Sequence, residues 1–388
     1  TRGNAKGSAM RQARKPVHAG RLERFLGPEK IEHLQRGMRG WYGRPIYLTD
    51  VPGNVWVTPG GDFVGDFRHG SFMSAAESIV DHINRLARGA VRELGRPSYG
   101  TVNAGFSSIS DALSRASSGF SQRRPFLKNG PTGVVGVSSS LWRLGAQPAA
   151  GATPGNAPGG TAFDSSSTGA LAFSNPAAGT LRLVGADAGA SVVGHTLLAF
   201  DLIFGVNKTM NSTATEAVTG VPSRYQSSTP ANEDYSGDNF LFVQVGGTAL
   251  AATAHNWTTC TYTDQDGNTG VTLPSLTGNS GAIVDRLDHP TGQWFAPLAS
   301  GDSGIKALTQ MQCSAAVATG VVWFMIGHPL GFMTFPQANG LLPFDWLTNS
   351  DQAPRVFDNA CVAFMEPLKP ATTATNYTGR LVATSTSS

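Results

Sequence analysis

From residue 171 to residue 388 no stretch of the chain carries a helical period. Apolar residues come in short runs instead, at Thr180 to Val184, His195 to Val206, Asn239 to Val245, Trp257 to Thr263, Ala282 to Leu287, Ile305 to Cys313, Val321 to Ile326, Cys361 to Met365 and Tyr377 to Ala383. Gly, Pro, Asn and Asp separate them, which is how strands joined by turns are written. The charged fraction is 14%, against about 25% in ordinary soluble domains. With 47 Gly and 23 Pro, the composition favours turns and extended chain over helix. The expectation is a mainly β fold, an antiparallel sandwich of the jelly-roll-like kind.

Charge divides the chain. Residues 1–130 hold a balance of +10 and residues 131–388 a balance of −7, which the overall +3 conceals. Such asymmetry points to a polyanionic partner for the basic part, or to docking of one part on another. Residues 1–28 carry Arg2, Lys6, Arg11, Arg14, Lys15, Arg21 and Arg24 among Gly and Ala with no apolar period. Spaced in this way they can neutralise phosphates without reading sequence, or wrap an acidic neighbouring subunit.

Four parts are expected. Residues 1–40 form the basic arm, with a short helix over Glu29 to Met38 after Pro28. Residues 41–130 hold a hairpin between Tyr42 and Phe67 and a helical segment. There Ser74 and Glu77 form a capping box, followed by an apolar face of Ile79, Val80, Ile83, Leu86, Ala87, Val91 and Leu94. Arg85, Arg88 and Arg92 lie on the other side of that helix, where they too are expected to contact nucleic acid or a neighbouring subunit. A second helix is expected over Ser107 to Ser117. Residues 131–170 read as a Gly/Pro/Ser-rich linker or long loop, and residues 171–388 as the β-rich body.

Motifs with chemical potential are few. Gly301-Asp302-Ser303-Gly304, with His255 upstream, resembles the nucleophile and histidine segments of chymotrypsin-like proteases. That chemistry needs a hydroxyl, an imidazole and an orienting carboxylate together. The spacing of 48 residues from His255 to Ser303 is short for a two-barrel fold, and a tight turn explains the motif equally well. Asp264-Gln265-Asp266-Gly267-Asn268 alternates oxygen ligands as a calcium loop does, yet lacks the sixth-position Gly and terminal Glu, so a hairpin turn is preferred. Asp285, Asp288 and His289 read as solvated side chains, and His328 before Pro329 as a strand end. Cys260, Cys313 and Cys361 show no metal-ligand spacing. No cofactor, metal site or catalytic residue is expected. There is no apolar run of membrane-spanning length and no apolar signal core in the first 30 residues, so neither membrane insertion nor secretion is expected.

The layout of basic arm, hairpin, arginine-bearing helix, Gly/Pro-rich segment and weakly charged β body resembles the structural proteins of virus particles, those of tailed bacteriophages among them. Residues 1–40, 42–70 and 74–94 follow the order of arm, projecting loop and spine helix seen in HK97-type shell proteins. The resemblance implies a capsid shell subunit, not an enzyme, that assembles with copies of itself through its β body and arm. Other virion proteins and packaged nucleic acid are its implied further partners, and the virion, assembled in the host cytoplasm, its implied location. The alternative fold is an HK97-like α+β body. Alternative roles are a decoration, tail or adhesion protein binding through Trp294 and Trp346 and, more remotely, a hydrolase using Ser303.

Overall fold

The structure, a computed structural model, describes residues 106, 108–226, 238–347 and 353–386. The arm, hairpin and first two helices expected ahead of these fall outside the described residues. Helix α1 (Ile109–Ala116) lies where the second helical segment was expected. Ser108 caps it by accepting from the Asp111 backbone N–H, and Asp111 pairs one turn on with Arg115 at 2.9 Å.

The rest is antiparallel β, as the sequence indicates. The principal strands are β1 (Ser121–Asn129), β2 (Ser139–Ser140), β3 (Leu181–Ala190), β4 (Thr196–Thr209), β5 (Phe240–Val245), β6 (Thr261–Asp264), β7 (Ile305–Met311), β8 (Val321–Thr334), β9 (Leu342–Asp345), β10 (Val362–Glu366) and β11 (Asn376–Ser385). One sheet has the order β9-β3-β11-β1, and a second has the order β2-β10-β4-β8-β5. A third, smaller sheet pairs β6 with β7. Arg123-Arg124-Pro125, grouped by sequence with the helical segment, belongs to β1, which pairs along its whole length with β11.

With β5 to β7 set aside, and also the two-residue strands Ala146–Gln147, Thr161–Ala162 and Arg355–Val356 that pair on β1, β4 and β3, the eight remaining principal strands follow one rule. The first pairs with the last (β1 with β11), the second with the seventh (β2 with β10), the third with the sixth (β3 with β9) and the fourth with the fifth (β4 with β8). Two further pairings, β11 with β3 and β10 with β4, roll this folded-in-half ribbon into two facing layers. Residues 210–320 are inserted between the fourth and fifth strands. They supply β5 to the edge of the second sheet and β6 and β7 to the third.

The second sheet is covered on both faces, which explains why β4 and β8 read as unbroken apolar runs. On one face Leu197, Ala199, Val362 and Phe364 meet Leu181, Leu183, Tyr377 and Leu381 of the first sheet. Farther along that face, Val206, Val243, Val322 and Phe324 meet Tyr262, Ile305 and Leu308 of the inserted sheet. At 14 residues, β4 and β8 each run about 46 Å, long enough to serve both cores. The opposite face buries Phe200, Leu202, Phe242, Trp323 and Met325 with Trp142, Phe163 and Leu287. Each such side chain contributes about 1.5–3 kcal/mol on burial.

Residues 282–287, expected as a strand, instead close this curl as a strip. Asp285 N–H donates to the Val245 carbonyl and Val245 N–H to that of Arg286, while Ser140 N–H donates to the Asp285 carbonyl on the other side. The two edge strands of the second sheet are thereby joined through residues 285–287. Asp285 sits at φ 74°, which prevents a regular ladder there.

Two bulges set the register of β4 against β8. One falls between Ile326 and Gly327, the other between Pro329 and Gly331. The second explains Pro329: a residue without an N–H is tolerated inside a strand at a bulge. His328, read from sequence as a strand end, is therefore inside β8. The Gly/Pro-rich segment after residue 140 is a long loop laid on the curled sheet, with Trp142 and Phe163 buried edge-to-face at 5.1 Å.

Candidate functional site

Three clusters of buried polar side chains stand out among the described residues. The first lies at the two-residue pairing of Asn256–Trp257 with Leu276–Thr277. Asp288 accepts from His255 Nε2 at 2.9 Å, Trp257 Nε1 at 2.7 Å and the Asn279 N–H. His255 Nδ1 stands 3.0 Å from the Thr253 carbonyl oxygen. Both ring nitrogens thus face acceptors, an arrangement that only the doubly protonated ring satisfies. Burial opposes that charge, and the hydrogen bond and charge of Asp288 outweigh it, leaving the His255 pKa above its usual value.

The second cluster centres on Glu366 at the end of β10. Its carboxylate takes Lys369 Nζ at 2.9 Å, the Tyr377 hydroxyl and His195 Nδ1 at 3.1 Å. Thr375 Oγ1 stands 3.0 Å from His195 Nε2. All five side chains are buried. Burial raises the Glu366 pKa, and the bonds from His195, Lys369 and Tyr377 overcome it, so the net direction is down.

The third cluster lies where the two cores of the second sheet meet. Arg224 donates to Asp201 at 3.1 Å and to the Phe163 and Leu202 carbonyls, while the Cys361 N–H donates to the same Asp201 oxygen. Nearby, His328 lies flat on Tyr225 with ring centroids 3.8 Å apart, its Nδ1 3.0 Å from Asn239 Oδ1. Burial pushes the His328 pKa down to about 3.

Ser303 is placed elsewhere. Its N–H donates to Gln265 Oε1, as does that of Gly304, and Asp302 accepts the Tyr262 hydroxyl. The motif is a turn, with Gly301 at φ 101°. With its Nδ1 and Nε2 committed to Thr253 and Asp288, His255 has no ring nitrogen left to receive a serine proton. The Asp264 carboxylate closes its own turn through the N–H groups of Asp266 and Asn268. Asp285, Asp288 and His289, read as solvated, are buried; His289 Nε2 accepts the Val243 N–H. Among the described residues no three His, Cys, Asp or Glu side chains form a metal-binding group.

Comparison with known proteins found no matching family model, curated protein or solved structure.

The basic residues singled out by sequence, Arg2, Lys6, Arg11, Arg14, Lys15, Arg21, Arg24, Arg85, Arg88 and Arg92, lie outside the described residues. Sequence reasoning missed the Glu366 cluster. Its signal was faint: Glu366 and Lys369 are the charges of an otherwise uncharged stretch from Val362 to Asn376. Trp294 and Trp346, offered as exposed aromatics, are each half-buried; Trp294 packs on Phe240 and Phe332.

Proposed function

We propose that this chain is a structural subunit of a virus particle, a jelly roll that assembles with copies of itself into a shell. The observation that carries this reading is the pairing of first strand with last, second with seventh, third with sixth and fourth with fifth, preceded in sequence by an arm rich in Lys and Arg. An eight-stranded ribbon folded in half and rolled is the jelly-roll plan, one used by viral shells. Fold by itself does not assign function, and the arm supplies the second argument. A segment rich in Lys and Arg ahead of a weakly charged body suits a subunit that contacts packaged nucleic acid, or laces a neighbour, while its body tiles a surface.

The edges of the first sheet agree with assembly by faces and loops. Ala146–Gln147 pairs with Leu127 and Lys128 and covers part of the outer side of β1, while β9 carries Pro343, and proline withholds the donor that an added strand would need. An HK97-like body calls for further helices; α1 is the single helix among the described residues, so the roll is the reading adopted here. Electron microscopy and native mass spectrometry of the purified full chain test the proposal. Shells, sheets or discrete oligomers are expected, and a strictly monomeric species at high concentration overturns it.

A further inference from the structure

Four connections of the roll emerge at one end: residues 130–138 after β1, 191–195 after β3, 335–341 after β8 and 367–375 after β10. The register places them together, since Asn129 pairs with Asn376, Ala190 with Tyr377, Thr196 with Thr334 and Ser139 with Glu366. They also bind one another. Gly136 N–H donates to the Lys369 carbonyl, Gly133 to that of Thr372, Gly194 to that of Phe335 and Asn339 to that of Ala190. Beneath them sits the Glu366 cluster, whose His195, Lys369 and Thr375 come from two of the four connections. This end is therefore a braced surface.

Its composition is unusual for a surface. Val134, Val135, Val193, Leu341 and Leu368 are 45–64% exposed there. The only ionisable side chains in the four connections, His195 and Lys369, are both buried. No charge reaches solvent from any of them. Elsewhere on the body exposed ions are present, as in the pair of Arg380 with Asp187 on the outer face of the first sheet.

We propose that this end is where copies of the chain meet around a rotation axis. Around such an axis each residue faces its own counterpart, so any charge would meet its own sign at close range. A surface that is apolar and free of charge is complementary to itself, and copies of this chain are the partner that fits it. The inference rests on the shell-subunit reading and adds to it the contact by which subunits converge.

The test uses the full-length chain with Val135→Asp and, separately, Val135→Lys, and repeats both at Leu368. These side chains are exposed, so circular dichroism and melting of the subunit are expected to stay as in the wild type. Each single-charge variant is expected to need at least about a tenfold higher concentration to assemble. An equimolar mixture of the Asp and Lys forms is expected to recover much of that loss, because opposite charges then meet across the axis. If the wild type assembles and the variants assemble as readily, or the mixture does no better than either alone, the axis contact is overturned while the shell reading stands. A wild type that does not self-associate overturns the shell reading, and the axis contact with it.

Discussion

His255 and Asp288 face each other at 2.9 Å with neither side chain reaching water. Asp288 favours the charged imidazole, holding the His255 pKa above its usual value against burial, and Trp257 and Asn279 complete the carboxylate's partners. Removing one member of a buried pair strands the other, at a cost of about 3–5 kcal/mol. His255→Gln is expected to lower the melting temperature accordingly at pH 6. Because the folded pKa of His255 is raised, the pair's contribution is complete below the unfolded value near 6.5 and fades as pH climbs through the folded value. The gap in melting temperature between wild type and variant should therefore narrow from pH 6 to pH 9; a constant gap would show that the ring is not charged.

Asp285 shifts in the same direction for a different reason, since there the fold favours the neutral form. It sits on the closing strip with Arg143 Nε at 3.3 Å, and burial raises its pKa to about 6. A carboxyl group with a raised folded pKa favours folding most below its unfolded value, and the benefit is lost as pH rises from about 4 to about 6. Asp285→Asn keeps the left-handed backbone, which Asn tolerates. The variant's stability relative to wild type is expected to grow across that window by about 3 kcal/mol. Melting curves at half-unit pH steps check this, and a flat difference refutes it.

Lys128 is buried within β1, its ammonium held by the carbonyls of Leu144 at 2.8 Å and Ala149 at 3.4 Å, with burial lowering its pKa to about 8. No carboxylate is among those partners, so the fold works against the charge. Wild type is expected to gain about 3 kcal/mol relative to Lys128→Met as pH rises from about 8 to about 10.5. Denaturant unfolding of both proteins over that range measures the gain.

Gly151 leaves room for the Trp142 ring: a Cβ there would lie 2.0 Å from it. That indole helps cover the curled sheet and donates to the Ala152 carbonyl at 2.9 Å. Gly151→Ala is expected to displace the ring and cost about 1–3 kcal/mol, with a change in tryptophan near-ultraviolet dichroism. An unchanged spectrum and melting temperature would mean that the ring is not confined.

Much of the fold was legible. The runs at β4, β5 and β8 announce strands because a sheet covered on both faces needs apolar residues at every position. α1 is legible because the helical spacing of Ile109, Ala112, Leu113 and Ala116 is local. β1 escaped notice, since Ser-Gln-Arg-Arg-Pro-Phe-Leu-Lys-Asn resembles a loop: a strand with one solvated face has little apolar content. The run at 282–287 deceived in the other direction, because burial there comes from closing the curl and not from a ladder. Asp285, Asp288 and His289 looked solvated for a related reason. Three polar residues in a row of text carry no record of the layers that will cover them.

By itself the sequence determined what nearest neighbours decide: a β class, the positions of turns, one capped helix and the separation of basic arm from weakly charged body. These follow from side-chain period and from backbone preferences that act over a few residues. Tertiary structure alone decided that Ser121 pairs with Thr384, that the strip at 285–287 joins two sheet edges, and that His255 meets Asp288 out of water. Backbone ladders between distant strands use the same N–H and C=O groups whatever the residue. Their partners, the carboxylate that favours the charged form of one histidine and the burial that neutralises another, are set only when all the layers close together.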